Sequence, residues 1–382
     1  MLVLVLNPGS SSLKYAVWQF DSGNLKASGQ EVLRGAVERI GESEVTDHAV
    51  ALESIVKELS SLLGERKLEA IGHRVVHGGR FTGPVLIDSE VIRYLELLNP
   101  LAPLHNVPAV LCIHAATRTW PQVSQVAVFD TSFHRTLPEH VWRYALPQGL
   151  CRQYGIRRYG FHGISVEHVG QRAARMLGIP WEKFDGVIAH LGNGASVTAV
   201  HGGQSVDTSM GFTPLEGLVM GTRSGDVDPG ILIFLLRQGL CAEELDNLLN
   251  RDSGLKALAG DNDMRTITTS AATGDKDAQL ALETAAHRLV RYIGGYHVTC
   301  GGANAIVLTG GIGENSAPFR TRVLEKLAPL GVKIDPVVNE TVVGLKEARV
   351  VSAPESSIPV LVVPTDEQAA IAKATVAVVS TQ

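Results

Sequence analysis

Short apolar segments rich in valine and isoleucine recur along the chain and end near Gly, Pro, Asn or Asp, as β-strands do. They predict strands over residues 2–6, 15–20, 70–76, 126–129, 186–190, 197–200, 305–308 and 358–363. Helical patterns lie between these segments, and the clearest has one apolar face between residues 277 and 298. Strands that alternate with helices predict an α/β architecture.

Two of the predicted strand–turn–strand units are alike and lie in different halves of the chain. The first reads LVLVLNPGSSSLKYAVW (residues 2–18) and the second reads VIAHLGNGASVTAVHGG (residues 187–203). Each turn is built of glycine and small residues, so several backbone N–H groups can face a ligand without side-chain bulk. Either turn alone would also fit an ordinary hairpin, but two equivalent turns favour phosphate binding and a duplicated domain.

Size and charge narrow the class of protein. A chain of 382 residues exceeds the size of a single core, so two domains are expected. The net charge is −5, without a block of like charges, so neither nucleic acid nor an anionic membrane is expected as a partner. The four cysteines form no C-x-x-C pair, and no stretch resembles a signal peptide or a membrane helix. These features predict a soluble, cytoplasmic protein.

Polar residues and glycines gather in loops that follow predicted strands, where open α/β sheets bind their ligands. These loops read VFDTSFH, YGFHGIS, GLVMGTRSGDVDPG, VLTGGIGENS and VVPTDEQAAIA. The sequence contains no Walker P-loop, no G-x-G-x-x-G and no G-x-S-x-G. Cationic groups, carboxylates for a magnesium ion and glycine-rich turns suit phosphoryl transfer, where the protein positions groups and neutralises charge. They suit hydrolysis or redox chemistry poorly.

A set of longer blocks resembles a known family. In chain order, the signature blocks of the acetate kinase family are matched by NPGSSSLK, HRVVHGG, FDTSFH, GFHGIS, HLGNGAS, TSMGFTPLEGLVMGTRSGDVDP, TGGIGENS and PTDEQAAIA. The resemblance implies an α/β fold with two duplicated actin-like or ribonuclease H-like domains that close on a nucleotide cleft. It implies an N-terminal domain over residues 1–134, onto which a helix over 369–382 packs back. The second domain, over residues 135–368, would bind the nucleotide and form the interface of a homodimer.

The resemblance also implies a reaction. ATP and acetate would give acetyl phosphate and ADP, reversibly, with Mg²⁺ as the cofactor and Mn²⁺ as a substitute. A propionate or butyrate kinase on the same scaffold is the close alternative, because a methylene in an apolar pocket is worth only about 1–3 kcal/mol. A non-catalytic nucleotide switch like actin or Hsp70 is the distant alternative, although it would have no use for Arg74, His162 and Arg223.

Each matched position carries an implied role. The catalytic residues would be Asp130, His162 and Arg223. The acetate contacts would be Arg74, Val76, Leu104, Phe161 and Pro214. The metal ligands would be Asn7 and Glu367. The ATP contacts would be Ser10, Ser12, Lys14, His190, Leu191, Gly192, Asn193, Gly194, Asp263, Met264, Arg265, Gly311, Ile312, Gly313, Glu314 and Asn315.

Two expectations refine these roles. Acetate is already an anion near neutral pH, since a carboxyl pKa is about 4, so Asp130 is expected to orient an arginine or a magnesium-bound water rather than to move a proton. Asn7 opens the chain and Glu367 follows the last predicted strand, so the two metal ligands are expected to come from different halves. One departure from the family pattern is visible in the last block, which is often written with two adjacent acids and reads Asp366-Glu367-Gln368 here. Glu367, the implied metal ligand, is retained.

Overall fold

The computed structural model describes residues 1–9, 11–21, 29–41, 45–64 and 66–381. The side chains of Ser60, Leu62, Pro103 and Leu104 are also outside the description. Two predicted site residues are affected: Ser10 and the side chain of Leu104 lie outside the described residues.

The strands in chain order are β1 Leu2–Pro8, β2 Ser12–Gln19, β3 Gln30–Glu38, β4 Ala70–Val75, β5 Val85–Leu86, β6 Ser124–Phe129, β7 Gly186–Leu191, β8 Ala195–His201, β9 Gln204–Thr208, β10 Ala305–Thr309, β11 Arg349–Val350 and β12 Val360–Val362. The α-helices are α1 His48–Leu63, α2 Ser89–Leu97, α3 Pro103–Thr119, α4 Glu139–Trp142, α5 Gln148–Tyr154, α6 Gly163–Met176, α7 Pro229–Arg237, α8 Ala242–Arg251, α9 Gly254–Ala259, α10 Met264–Ala272, α11 Lys276–Thr299, α12 Gly310–Asn315, α13 Ala317–Lys326, α14 Pro336–Thr341 and α15 Glu367–Val379. In these ranges no helix is both long and apolar enough to cross a membrane.

The chain packs as two compact units. The first unit comprises Met1–Arg135, His162–Ser165 and Asp366–Gln382. The second comprises Thr136–Phe161 and Val166–Thr365. The domain bounds expected from the sequence, at residues 134 and 368, stay a prediction.

The sheet of the first unit has the strand order β3-β2-β1-β4-β6-β5. Strands β1, β2 and β3 form an antiparallel meander, β1, β4 and β6 are parallel, and β5 runs antiparallel to β6. Helices α1 and α3 contribute to the core on one face, around Leu4 and Leu6 of β1. Helix α15 packs on β1, β4 and β6, where Val3 and Val5 meet Ile371.

The sheet of the second unit repeats this topology. Its order is β9-β8-β7-β10-β12-β11, with an antiparallel meander, three parallel strands and one antiparallel edge strand. Each position in the first sheet therefore has a counterpart in the second. The prediction of an α/β fold built of two duplicated domains is confirmed.

The strands that sequence reasoning found and those it missed differ in burial. Central strands such as β1, β7 and β10 are buried along their whole length, so they read as continuous apolar runs. The missed strand β3 lies at a sheet edge and is largely exposed, so it reads QEVLRGAVE without an apolar run. The other missed strands, β5, β9 and β11, are also edge strands.

Candidate active site

In the first unit, polar side chains meet where the three parallel strands end. Asn7 lies near the end of β1, Arg74 lies on β4, and Asp130 follows β6 directly. Because parallel strands end at the same edge of a sheet, these side chains converge there. Glu367 joins them as the first residue of α15, which the Asp366 side chain caps by accepting from the Ala369 N–H.

Arg74 links the members of this cluster. Its Nε donates to Asp130 Oδ1 at 3.1 Å and its Nη2 to Asp130 Oδ2 at 2.7 Å, a bidentate pair. Its Nη1 lies 3.1 Å from Asn7 Oδ1 and 3.2 Å from Glu367 Oε2. Asn7 Nδ2 donates to the same Glu367 oxygen at 3.1 Å. The predicted metal ligands Asn7 and Glu367 therefore touch within one unit, and the expectation that they come from different halves is wrong.

Burial makes the charges of this cluster depend on one another. The side chain of Asp130 is only 1% exposed, and burial raises the pKa of this carboxyl although the Arg74 guanidinium opposes the rise. Burial alone would lower the pKa of Arg74, but the carboxylates of Asp130 and Glu367 outweigh it and hold that pKa above its usual range. Arg74 is therefore a permanent cation whose charge is matched by neighbouring carboxylates.

His162 is held in a strained position beside Asp130. Its φ of 59° lies in the left-handed region, which residues other than glycine rarely occupy. Its backbone N–H donates to the Asp130 carboxylate, and the next N–H, of Gly163, donates to the Asp130 carbonyl at 2.8 Å. A Cβ on Gly163 would lie 2.3 Å from that carbonyl oxygen, so only glycine permits this approach. The GFHGIS block thus fixes His162 through backbone contacts.

The oxygens of Asn7 and Glu367 form the kind of donor set that a hard divalent cation takes. Magnesium commonly combines one or two carboxylates with substrate phosphates and several waters. The Asn7 amide and the Glu367 carboxylate fit that chemistry, with Arg74 held between them and Asp130.

The second unit contains a cleft of about 750 Å³. Sequence reasoning found these lining residues: Gly192, Asn193, Asp263, Met264, Arg265, Gly311, Ile312 and Asn315. It missed Asn262, Thr268, Thr269, Ser316, Pro318 and Val343, of which only Val343 lies more than four residues from a predicted position. The walls come from the turn after β7, the start of α10 and helix α12 after β10. Apolar and polar lining together suit a nucleoside.

Several predicted ATP contacts lie elsewhere. Among the described residues, those that line the cleft do not include His190, Leu191, Gly194, Gly313 and Glu314. The Glu314 carboxylate instead accepts from the N–H groups of Gly310 at 2.8 Å and Thr365 at 3.0 Å, so it fastens the turn after β10. Ser12 and Lys14 belong to the first unit, where Lys14 lies opposite Asn7 in the β1–β2 hairpin and is exposed.

Arg223 lies in a tightly folded loop of the second unit. Its Nη1 donates to the Pro214 carbonyl at 2.7 Å. A Cβ on Gly221 would lie 1.7 Å from Asn193 Oδ1, and the Gly221 N–H donates to the Asn193 carbonyl at 2.9 Å. Burial lowers the pKa of Arg223 to about 10, and in the described ranges no carboxylate forms an ion pair with it. Within the part of the chain that the structure describes, the loop therefore presents a cation without a carboxylate partner.

The predicted acetate contacts are divided between the two units. Val76 is buried in the first unit. Phe161 is buried and Pro214 is half-buried in the second. Their predicted role as walls of one small pocket stays a prediction.

Comparison with known proteins shows which family the chain resembles. The model of one protein family, described as the acetokinase family, matches residues 2–373. The chain belongs to the acetokinase family. Membership makes it an ATP:acetate phosphotransferase, an enzyme that uses ATP and a divalent metal.

Relatives and solved structures of the acetokinase family match the chain over nearly its whole length. The acetate kinase of Pseudarthrobacter chlorophenolicus is 58% identical, and the alignment covers 99% of both chains. The Porphyromonas gingivalis acetate kinase structure is 40% identical over 99% of both chains, with a TM-score of 0.89. A propionate kinase from Francisella tularensis is 38% identical over 98% of both chains, with a TM-score of 0.90.

Proposed function

We propose that acetate is the physiological acceptor, that Mg²⁺ is the metal, and that Arg74, Asp130, His162 and Arg223 act as the residue matches imply. The observation that carries this proposal is the bidentate pair between Arg74 and Asp130. A kinase that phosphorylates an alcohol needs a carboxylate to accept the hydroxyl proton. Here both oxygens of that carboxylate accept from an arginine, which suits an acceptor that is already ionised.

The reaction then needs positioning and charge neutralisation rather than proton transfer. A carboxylate oxygen of acetate attacks the γ-phosphorus of ATP, and the bond from that phosphorus to the β–γ bridging oxygen breaks. Acetyl phosphate forms and ADP leaves with the electron pair. Arg74 neutralises the approaching carboxylate, while Asp130 keeps the guanidinium oriented. His162, fixed by its backbone beside Asp130, donates to a transferring oxygen.

Arg223 has a different task from Arg74. Its charge has no carboxylate partner among the described residues, so a ligand anion is the group that can match it. Charge on the transferring phosphoryl group develops in the transition state, and a preorganised cation stabilises that charge without reorganisation. Arg223 therefore lowers the barrier more than it strengthens the binding of ATP.

Magnesium would be held by Glu367 and Asn7 together with phosphate oxygens and waters. When bound, the ion neutralises phosphate charge and fixes the phosphates in place. Manganese has similar ligand preferences and would substitute for it.

Acetate and propionate differ by one methylene, so the preference between them needs measurement. Hydroxylamine trapping of acyl phosphate, with acetate, propionate and butyrate as acceptors, tests the proposal directly. We expect the highest kcat/KM with acetate and strict dependence on Mg²⁺ or Mn²⁺. A higher kcat/KM with propionate or butyrate would reassign the acceptor. ATP hydrolysis without trapped hydroxamate would contradict acyl transfer.

We also infer that the working form is a homodimer in the cytoplasm. Helix α7 exposes four large apolar side chains: Ile231 (50%), Ile233 (51%), Phe234 (57%) and Leu236 (46%). An apolar surface of this kind favours association with another protein surface, here a second copy of the chain. The cysteines Cys112, Cys151, Cys241 and Cys300 are free, which fits a reducing compartment. Sedimentation of the wild type and of Phe234→Glu tests the interface; a wild-type monomer would refute it.

A further inference from the structure

Residues 208–217, the proline loop, carry Pro214 between the end of β9 and the Arg223 segment. The Pro214 carbonyl accepts the hydrogen bond from Arg223 Nη1 at 2.7 Å. Any shift of the proline loop therefore moves an acceptor of Arg223 and the Pro214 ring together. What holds this loop is a group of side chains that have no role in the mechanism above.

Arg158 fastens the proline loop at both ends. Its Nη1 donates to the carbonyls of Thr208 at 2.9 Å, Ser209 at 3.3 Å and Met210 at 3.1 Å. Its Nη2 donates to Glu216 Oε1 at 2.5 Å. Residues 211–215 thus form a short bridge whose two flanks are tied to a single guanidinium.

Tyr144 closes the same arrangement from the other side. Its hydroxyl donates to Glu216 Oε2 and accepts from the Phe212 N–H at 3.0 Å. A Cβ on Gly211 would lie 1.8 Å from Glu216 Oε2 and 2.1 Å from the Tyr144 hydroxyl. A side chain at position 211 would therefore displace the Glu216 carboxylate or the Tyr144 hydroxyl from the place each has here.

Near neutral pH, Arg158 and Tyr144 each keep a single protonation state. Burial alone would lower the pKa of Arg158, but Glu216, together with Tyr144 and Tyr296, holds that pKa above its usual range. Burial and the neighbouring Glu216 carboxylate raise the pKa of Tyr144, although Arg158 opposes the rise. The hydroxyl is therefore protonated and available as a donor, and the hydrogen bonds of the loop are preorganised.

We propose that Tyr144, Glu216 and Arg158 act as a clamp of positioning residues that places Pro214 and Arg223, and that this clamp determines selectivity for short acyl chains. The inference rests on the proposed role of Pro214 as a wall of the acetate pocket. A rigid wall excludes the extra methylene of propionate because the loop cannot give way. A loosened clamp admits the longer acceptor and displaces Arg223 from its best position.

Tyr144→Phe is the most direct test, since it removes one hydroxyl and keeps the ring. The Phe212 N–H then loses its acceptor and Glu216 loses one donor. A lost hydrogen bond corresponds to about a 2- to 10-fold change. We expect the kcat/KM ratio of propionate to acetate to rise by about that factor. The kcat with acetate should fall to a similar extent, with the KM for ATP unchanged.

Tyr15→Phe is the matched control, because Tyr15 also donates to a glutamate, Glu58, but lies in the first unit. It should change stability without changing the propionate to acetate ratio. Glu216→Gln is a second variant, with an effect in the same direction as Tyr144→Phe. Folding of each variant is checked by thermal melting before kinetics.

The outcomes separate the clamp from the pocket. Pro214→Ala should raise the propionate to acetate ratio if Pro214 is a pocket wall. A changed ratio in Pro214→Ala with wild-type ratios in both clamp variants would overturn the clamp alone. Wild-type ratios in all three variants would overturn the pocket role of Pro214 as well. Absence of acyl phosphate with the wild-type enzyme would refute the proposed function itself.

Discussion

The two arginines expected at the site, Arg74 in the first unit and Arg223 in the second, are held in opposite ways. Arg74 contacts the carboxylates of Asp130 and Glu367, and its pKa is above the usual range. Arg223 donates to the neutral Pro214 carbonyl, and burial lowers its pKa to about 10. The first arginine is part of an ion cluster in which two carboxylates match its charge. The second has no carboxylate partner among the described residues, and the proposed function gives it an anion of the substrate as its partner.

Removal of the matched arginine should have the largest effect, and it should appear in stability. In Arg74→Met, two carboxylates lose their cation, and Asp130 stays buried without a counter-charge. Breaking a buried pair from one side costs about 3–5 kcal/mol, so urea denaturation should give a free energy of unfolding lower by that amount. Arg34→Met is the control: Arg34 also contacts two carboxylates, Glu31 and Asp366, but is 41% exposed, so about 0–1 kcal/mol is expected. Equal losses in both variants would contradict the comparison.

Removal of the unmatched arginine should act on rate. Arg223→Ala should lower turnover by about 10²–10³, because one preorganised donor to the transition state is lost. The KM for ATP should change little, as steady-state kinetics with varied ATP would show. Arg265→Ala, on the wall of the nucleotide cleft, should do the reverse and raise the KM for ATP at nearly constant turnover. Near-normal turnover in Arg223→Ala would remove this residue from the mechanism.

Arg223 should also lower the free energy of unfolding, whereas Arg74 should raise it. Burial disfavours the charged form of Arg223 in the folded state, so the unfolded state holds this proton more tightly. The penalty is present at all pH values below about 10, and it is relieved as pH rises from there towards the ordinary arginine value. Arg223→Met should therefore raise the free energy of unfolding by roughly 1–3 kcal/mol at neutral pH. A lower free energy of unfolding in Arg223→Met would contradict this prediction, because it would mean that other groups compensate the charge of Arg223.

The smallest effect on rate or stability is expected from a substitution of Glu367, whose carboxylate contacts Arg74, as the Asp130 carboxylate also does. Glu367→Gln should raise the Mg²⁺ concentration for half-maximal rate by about tenfold, because a neutral amide replaces one charged ligand. The KM for acetate should stay close to the wild-type value. Asp366→Asn is the neighbouring control, since Asp366 caps α15 and pairs with Arg34 instead. An unchanged Mg²⁺ requirement in Glu367→Gln would exclude Glu367 as a metal ligand.

Prediction from sequence succeeded where one local pattern decides the structure. Buried parallel strands carry runs of apolar residues, and such runs predict β1, β4, β6, β7 and β10. Edge strands such as β3 have no such pattern, since half of their backbone and most of their side chains face water. Closure of the two domains on the nucleotide stays a prediction.

The α/β class, the duplication and most of the residues that gather at the strand ends can be read from the amino-acid sequence, because glycine-rich turns and apolar runs are local features. Which charges come into contact depends on how distant segments of the chain pack together. Glu367 is 360 residues from Asn7 along the chain, yet α15 packs on β1 and brings the two side chains into contact. The pairing of Asp130 with Arg74, and the absence of such a partner for Arg223 among the described residues, likewise depend on packing between distant segments. Ion pairing follows from distance in space, and no local pattern encodes that distance.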